Sequence, residues 1–164
     1  MRRALRLGLV IALGAGACGG LGTGGSGDAG RDAFVGSWNM SGVTTLEFET
    51  PYGPISTDLP TTGLVLIAAG EGPDDLVVTD ERGCAIPATV SGGVASVDDG
   101  ASCTVVQGTT TTVLVFHSGT LTLEDEGSIS LDASGDATVT STSGSPGGSG
   151  TFTWTATLAR GSGS

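Results

Sequence analysis

Thr151-Phe152-Thr153-Trp154-Thr155-Ala156-Thr157-Leu158-Ala159-Arg160 decides the fold. Apolar residues and Thr alternate through it without a break, the period at which a β-strand turns successive side chains to opposite faces. Phe152, Trp154, Ala156, Leu158 and Arg160 share one face of that strand, with Thr on the other. Working backwards, Thr45-Leu46-Glu47-Phe48-Glu49 repeats the pattern, with Leu46 and Phe48 opposite Glu47 and Glu49. Gly63 to Ala69 is nearly continuous in apolar residues and reads as a strand buried on both sides. Further strand candidates are 76–79, 84–90, 94–97, 103–107, 111–117, 120–123, 128–131 and 137–140, with Gly, Asp and Ser turn signals between them. No window after Arg31 carries apolar residues at helical spacing. The fold class is therefore all-β, an antiparallel up-and-down meander of about 8–10 strands, and closure into a small barrel hides its edges.

Composition agrees. The chain has 164 residues, 30 of them Gly, and the length allows one compact domain with small appendages. Six basic residues, all Arg, face 17 acidic ones. Arg2, Arg3 and Arg6 lie before Cys18, so the remainder carries 3 Arg against 17 carboxylates, a net −14. Such a surface repels phosphate, which excludes nucleic acid as a partner.

Two segments between strands are longer than a hairpin needs. Residues 50–62 contain Pro51, Pro54 and Pro60 together with Tyr52, Ile55 and Leu59, and read as a stiffened loop able to act as a lid. Residues 141–150 are rich in Gly and Ser and read as a mobile loop.

The N-terminus reads as an address. A basic start (Met1 to Arg6) precedes an apolar stretch, Leu5 to Ala17, which is shorter than the ~20 residues of a membrane-spanning helix and ends in small residues. Ala15-Gly16-Ala17-Cys18 resembles the lipobox of bacterial lipoproteins. That resemblance implies a signal peptide over 1–17, cleavage before Cys18, and acyl chains on Cys18 that anchor the chain to the membrane. Ala15-x-Ala17 also suits ordinary signal peptidase, which leaves Cys18 as a free thiol. Seven Gly among residues 19–30 make a flexible tether with a reach of roughly 20 Å. Gly19 directly after the Cys resembles lipoproteins sorted to the outer membrane. The domain then runs over 31–160, and 161–164 form a flexible tail.

Three Cys leave one without a partner, which suits Cys18 as the lipidated residue and a disulfide between Cys84 and Cys103. A turn at Gly92-Gly93 sets Cys84 opposite Ala101, and a bulge at Asp98-Asp99-Gly100 brings Cys103 into line. An oxidising envelope compartment preserves such a bond.

Phe34-Val35-Gly36-Ser37-Trp38 resembles the first strand of lipocalins, where Gly-x-Trp opens an up-and-down barrel. The resemblance implies that Trp38 closes the barrel floor and that Arg160, at the end of the last strand, lies over it. It covers the first and last strands only. In overall style the chain also resembles Gly/Thr-rich lipoproteins of uncharacterised function from myxobacteria.

Catalytic chemistry finds no foothold. His117 is the only His, there is no Lys, and the carboxylates cluster at turns: Asp74-Asp75, Asp98-Asp99 and Glu124-Asp125-Glu126. None has EF-hand spacing, and no nucleophile elbow is recognisable. The sequence is read as non-enzymatic, without cofactor or metal. Two functions remain open. One is a small apolar ligand held by Phe48, Leu66, Phe116, Phe152 and Trp154. The other is a structural or interaction module, its barrel filled, whose loops bind a protein or glycan partner. Seven aromatic residues in the whole chain favour the filled barrel, and the first-strand signature favours the carrier.

Overall fold

The computed structural model describes residues 30–50, 52–125, 127–142 and 147–161. The leader, Cys18 and the tether lie outside the described residues, as do 143–146 of the Gly/Ser-rich segment and 162–164 of the tail. A single 3-10 turn, η1 (Arg31–Ala33), leads into nine strands. They are β1 (Gly36–Thr50), β2 (Gly53–Ala69), β3 (Asp75–Asp80), β4 (Ala85–Ser91) and β5 (Val94–Val97). β6 (Ser102–Gln107), β7 (Thr110–Asp125), β8 (Ser128–Ser141) and β9 (Gly148–Arg160) follow.

Every pairing is antiparallel, and the order β5-β4-β3-β2-β1-β9-β8-β7-β6 is joined by a further pairing of β5 with β7. The hydrogen bonds thus run in a closed ring, as the all-β meander predicts. One edge of β7 serves two neighbours in turn. Thr110–Val115 pairs with β6, and Thr120–Thr122 pairs with β5.

Strand length divides this ring into two levels. β1, β2, β7, β8 and β9 are 13–17 residues long and form a tall wall, while β3, β4 and β5 have 4–7 residues and form a low one. Below the rim of the low wall, inward residues from all sides meet. Trp38, Ile67, Leu76, Ala95, Leu121, Ile129 and Leu158 are buried there, and no polar or charged residue is buried among those described. Phe34, carried by the turn η1, plugs the floor: it is fully buried, and its carbonyl accepts a 2.8 Å hydrogen bond from Trp38 Nε1. The Arg160 guanidinium lies 4.6 Å from the Trp38 ring centroid and donates to the Ala33 carbonyl at 2.8 Å. Gly36 fits beneath it with φ +148°, where an added Cβ would meet Arg160 Nη1 at 3.4 Å. Only Gly adopts that backbone without strain.

Three sequence expectations need correction. Residues 50–62 are not a lid loop. β1 and β2 form one hairpin whose register runs from Gly36↔Ile67 to Thr50↔Gly53, with Tyr52 at its tip. The prolines did not break the strand because of where their nitrogens point. Gly70 donates to the Asp75 carbonyl, so even-numbered residues of β2 direct their backbone groups towards β3. β3 pairs only with Val65–Ala69, so Pro54 and Pro60 face an edge that has no strand, and no ladder bond is lost.

Secondly, the run 63–69 is buried on one face only. Val65 and Ile67 point inward, while Leu64 and Leu66 are 49% and 50% exposed on the outside. Among the described residues no second layer packs against that outer face, so a continuous apolar run coexists with ordinary alternation.

Thirdly, 111–117 and 120–123 are one strand, as are 128–131 and 137–140. The register of β7 against β8 slips between Phe116 and Ser118, leaving His117 as the extra residue of a β-bulge. The inward row accordingly changes from Leu114 and Phe116 to Gly119 and Leu121.

Candidate functional site

Above the low wall the interior is not filled. The inward residues of β1 change from Trp38 and Met40 to Gly42, Thr44, Leu46 and Phe48, which are smaller, more polar or only half-buried. Gly42 marks the change: a Cβ there would overlap the Thr155 carbonyl and the Ala156 Cβ, so β9 passes too close for any side chain. Above this level the tall wall faces a gap between the distal half of β2 and β6. A cleft of about 160 Å³ occupies it. Leu46, Val105, Leu114, Phe116, Phe152 and Trp154 supply its apolar lining. Leu59, Pro60 and Thr61 form one rim, and Asp80 and Arg82 of the β3–β4 turn form the lower lip.

The floor of the cleft is held by Cys84 and Cys103, whose sulfurs lie 2.06 Å apart with a Cα–Cα distance of 5.3 Å. The register of β4 on β5, Ala88↔Val97, is the one set by a turn at Gly92-Gly93. The offset is closed by a turn rather than a bulge. Residues 98–101 carry the chain off β5 and onto β6, with Ala101 N donating to the Asp98 carbonyl at 3.0 Å. The bond therefore stitches the low wall to β6 across the one break in the sheet between β4 and β6.

Phe116 and Phe152 meet edge to face at 5.1 Å between ring centroids and form the back of the cleft. Some of the polar groups around it are already engaged. Thr44 Oγ1 and Thr61 Oγ1 are 2.9 Å apart, and Asp80 Oδ1 accepts from the backbone N–H of Arg82 and of Cys84, each at 2.9 Å. Trp154 is not among them. Its Nε1 is buried, and no acceptor among the described residues lies within hydrogen-bond distance. Trp154 borders the cleft on one side and, on the other, a void of about 20 Å³ among Val65, Ile86, Leu121 and Leu158.

Of the five residues expected to line a ligand site, Phe116, Phe152 and Trp154 come together here. Phe48 does not: it lies at the hairpin tip beside Ile55 and Tyr52, along an open groove. Leu66 faces solvent, because the parity of β2 that buries Val65 and Ile67 turns it outward. Leu46, Val105 and Leu114 belong to the cleft and were not singled out from sequence. Alternation with Glu47 and Thr104 marked Leu46 and Val105 as inward, whereas Leu114 lies within the apolar run 113–116, and nothing local tells whether an inward position lies in the packed or the open level.

His117 sits away from the cleft, on the outer face. Its Nε2 is 2.9 Å from Asp136 Oδ2, and its Nδ1 is 3.7 Å from Asp99 Oδ1. The hydrogen bond and charge of Asp136, and more weakly those of Asp99, raise its pKa above the ordinary 6.5. Among the described residues, no three His, Cys, Asp or Glu side chains converge on a metal position, and no helix is long and apolar enough to cross a membrane. The chain matches no protein-family model and no curated protein.

Proposed function

We propose that this chain is a lipid-anchored lipoprotein of the bacterial envelope, held at the outer membrane by acyl chains on Cys18. Its domain is a non-enzymatic binder of a small apolar ligand. The observation that carries the binding role is the apolar cleft of about 160 Å³ above an otherwise packed interior. Its size sets the ligand: a cavity of about 150 Å³ lined by aliphatic and aromatic groups holds one benzene-sized molecule, not a whole lipid. The Cys84–Cys103 pairing supports the anchor, because it leaves Cys18 as the remaining cysteine of three. The net −14 beyond Cys18 speaks against nucleic acid and anionic partners.

The test compares native and denaturing mass spectra of the full chain. A native excess on the order of 100 Da, with an apolar molecule released on unfolding, is the expected result. A native mass equal to the denatured one, unchanged after incubation with small aromatics, overturns the carrier. For the anchor, incorporation of labelled palmitate should vanish in Cys18→Ser, and a wild-type chain that takes up no label refutes lipidation.

A second reading draws on the outer face. Leu64 and Leu66 stand half exposed side by side on β2, and the lower interior is packed around a void of only about 20 Å³. These features suit an interaction module that meets a protein or glycan, which is the better account if the cleft takes no small molecule.

A further inference from the structure

We infer that the unpaired edge of β6, at the mouth of the cleft, takes an extended, positively charged segment of a partner protein as an added antiparallel strand. The inference goes beyond the small-ligand reading, because it concerns the backbone of the sheet and not the interior of the cleft. Topology leads to it first. β5 and β6 lie against the same edge of β7, β5 below and β6 above. Among the described residues no strand stands above β3 and β4, so the upper sheet is open between the distal half of β2 and β6. There β6 pairs with β7 alone. Phe116 N donates to the Ala101 carbonyl at 2.8 Å, so the backbone groups of Ala101, Cys103 and Val105 face β7. Those of Ser102, Thr104 and Val106 face the gap, because successive residues of a strand direct theirs to opposite edges.

Two edges border the gap, and only one is fit to receive a strand. Natural sheets guard exposed edges with prolines and charges. β2 carries Pro54 and Pro60, whereas Ser102-Cys103-Thr104-Val105-Val106-Gln107 holds neither a proline nor a charged residue. β2 and β6 also run in opposite directions, so one added strand cannot be antiparallel to both. The disulfide to Cys84 holds the lower end of β6 in place, so little ordering is lost when its edge is paired. An added strand continues the sheet and turns alternate side chains inward, over Leu46, Leu114 and Phe116, where apolar groups are rewarded. Charge selects the others. Asp58 on β2 and Asp80 and Glu81 in the β3–β4 turn stand around the gap against Arg82. Glu81 lies at its foot: a Cβ on Gly63 of β2 would meet Glu81 Oε1 at 2.9 Å. With the net −14 beyond Cys18, this field attracts a segment bearing Lys or Arg and repels a second copy of the chain.

The test titrates the full chain with peptides of about eight residues, near the length of a common strand. The parent peptide alternates lysine with valine. With valines inward over the cleft, the lysine amides are the ones that face β6, since residues opposite one another share a face and an edge. N-methylation at the lysines should therefore weaken binding about tenfold, while N-methylation at the valines should leave it nearly unchanged. Glutamate in place of lysine should weaken it about tenfold or more at low salt, and added salt should narrow that difference. Thr104→Pro removes a donor that faces the gap and no ladder bond to β7, so it should weaken the parent peptide about tenfold. The methylated peptides read the same edge on the wild-type chain, whether or not this variant folds. If both methylated peptides bind as the parent does, attraction is by charge alone and strand addition is overturned. Absence of saturable binding by the parent peptide overturns the site. A chain that sediments as a dimer, and as a monomer in Thr104→Pro, gives the edge to a second copy and overturns the partner. None of these failures touches the small-ligand reading, which the mass spectra test separately.

Discussion

The lower and upper levels of the ring are built from the same strands, yet they differ in nearly every physical respect. Below, side chains from all sides meet at Trp38, Ile67, Leu121 and Leu158, each essentially fully buried. Above, β3, β4 and β5 have ended, and the tall wall faces a gap lined by smaller and partly polar residues. The same alternation of inward and outward residues thus produces a core where an opposite wall exists and a cleft where it does not. The border is marked on β7 by the bulge at His117, where the strand exchanges β6 for β5 as its neighbour. Asp99, from the turn that carries the chain between those two strands, lies beside His117 at 3.7 Å.

Substitutions that separate the levels test this contrast. The largest effect is expected from Trp38→Ala, which opens the packed floor and should lower unfolding stability by about 3–5 kcal/mol in urea titrations. Leu46→Ala, in the cleft wall, should cost under about 1.5 kcal/mol, since part of its side chain already faces open space. Equal losses at the two sites would mean the levels are energetically one.

Next comes the stitch between them. Cys84→Ala with Cys103→Ala should cost about 3 kcal/mol for the separation of 19 residues, a loop-closure effect. The cleft should loosen more than the floor, which hydrogen exchange can resolve: protection lost in β6 and at residues 80–84, and retained around Trp38. Uniform loss across both levels would contradict the division.

Arg160→Gln removes the cation over the Trp38 ring and should cost about 1 kcal/mol, because Arg160 is exposed and the contact is screened. Pro60→Thr should change stability by under about 0.5 kcal/mol, yet it restores a donor to the unpaired edge of β2. The mutant should sediment faster than wild type at the same concentration, and identical sedimentation would show that the proline does not guard that edge.

The smallest effect concerns the border. Because the folded pKa of His117 is raised, its bridge to Asp136 stabilises fully below the unfolded value of 6.5 and is lost as pH rises through the folded pKa. An NMR titration should place its midpoint above 6.5, with Asp136→Asn lowering it more than Asp99→Asn. A midpoint at or below 6.5 in the wild type would break the link between bulge and turn.

Much of this architecture was legible. Strict alternation in 151–160 and 45–49 identified strands and their inward faces, and the turn at Gly92-Gly93 set the β4–β5 register. The errors fell where local patterning has two readings. An apolar run such as 63–69 suits either two buried faces or one buried face with outward leucines, and only the missing second layer distinguishes them. Prolines in 50–62 suit a loop or an edge strand, and the choice depends on whether a neighbour needs their N–H. A break in alternation at His117 suits a turn or a bulge, and the continuous partner β8 makes it a bulge.

For the cleft, Phe116, Phe152 and Trp154 were recognisable as inward aromatic residues, while their meeting was not. The sequence by itself determined the strands in which apolar and polar residues alternate strictly, as in 151–160 and 45–49, and the inward side of each, because both follow from a period of two along the chain. Tertiary structure alone decided where the wall stops. That depends on how far strands distant in sequence overlap, and it creates the gap between β2 and β6 that the cleft occupies.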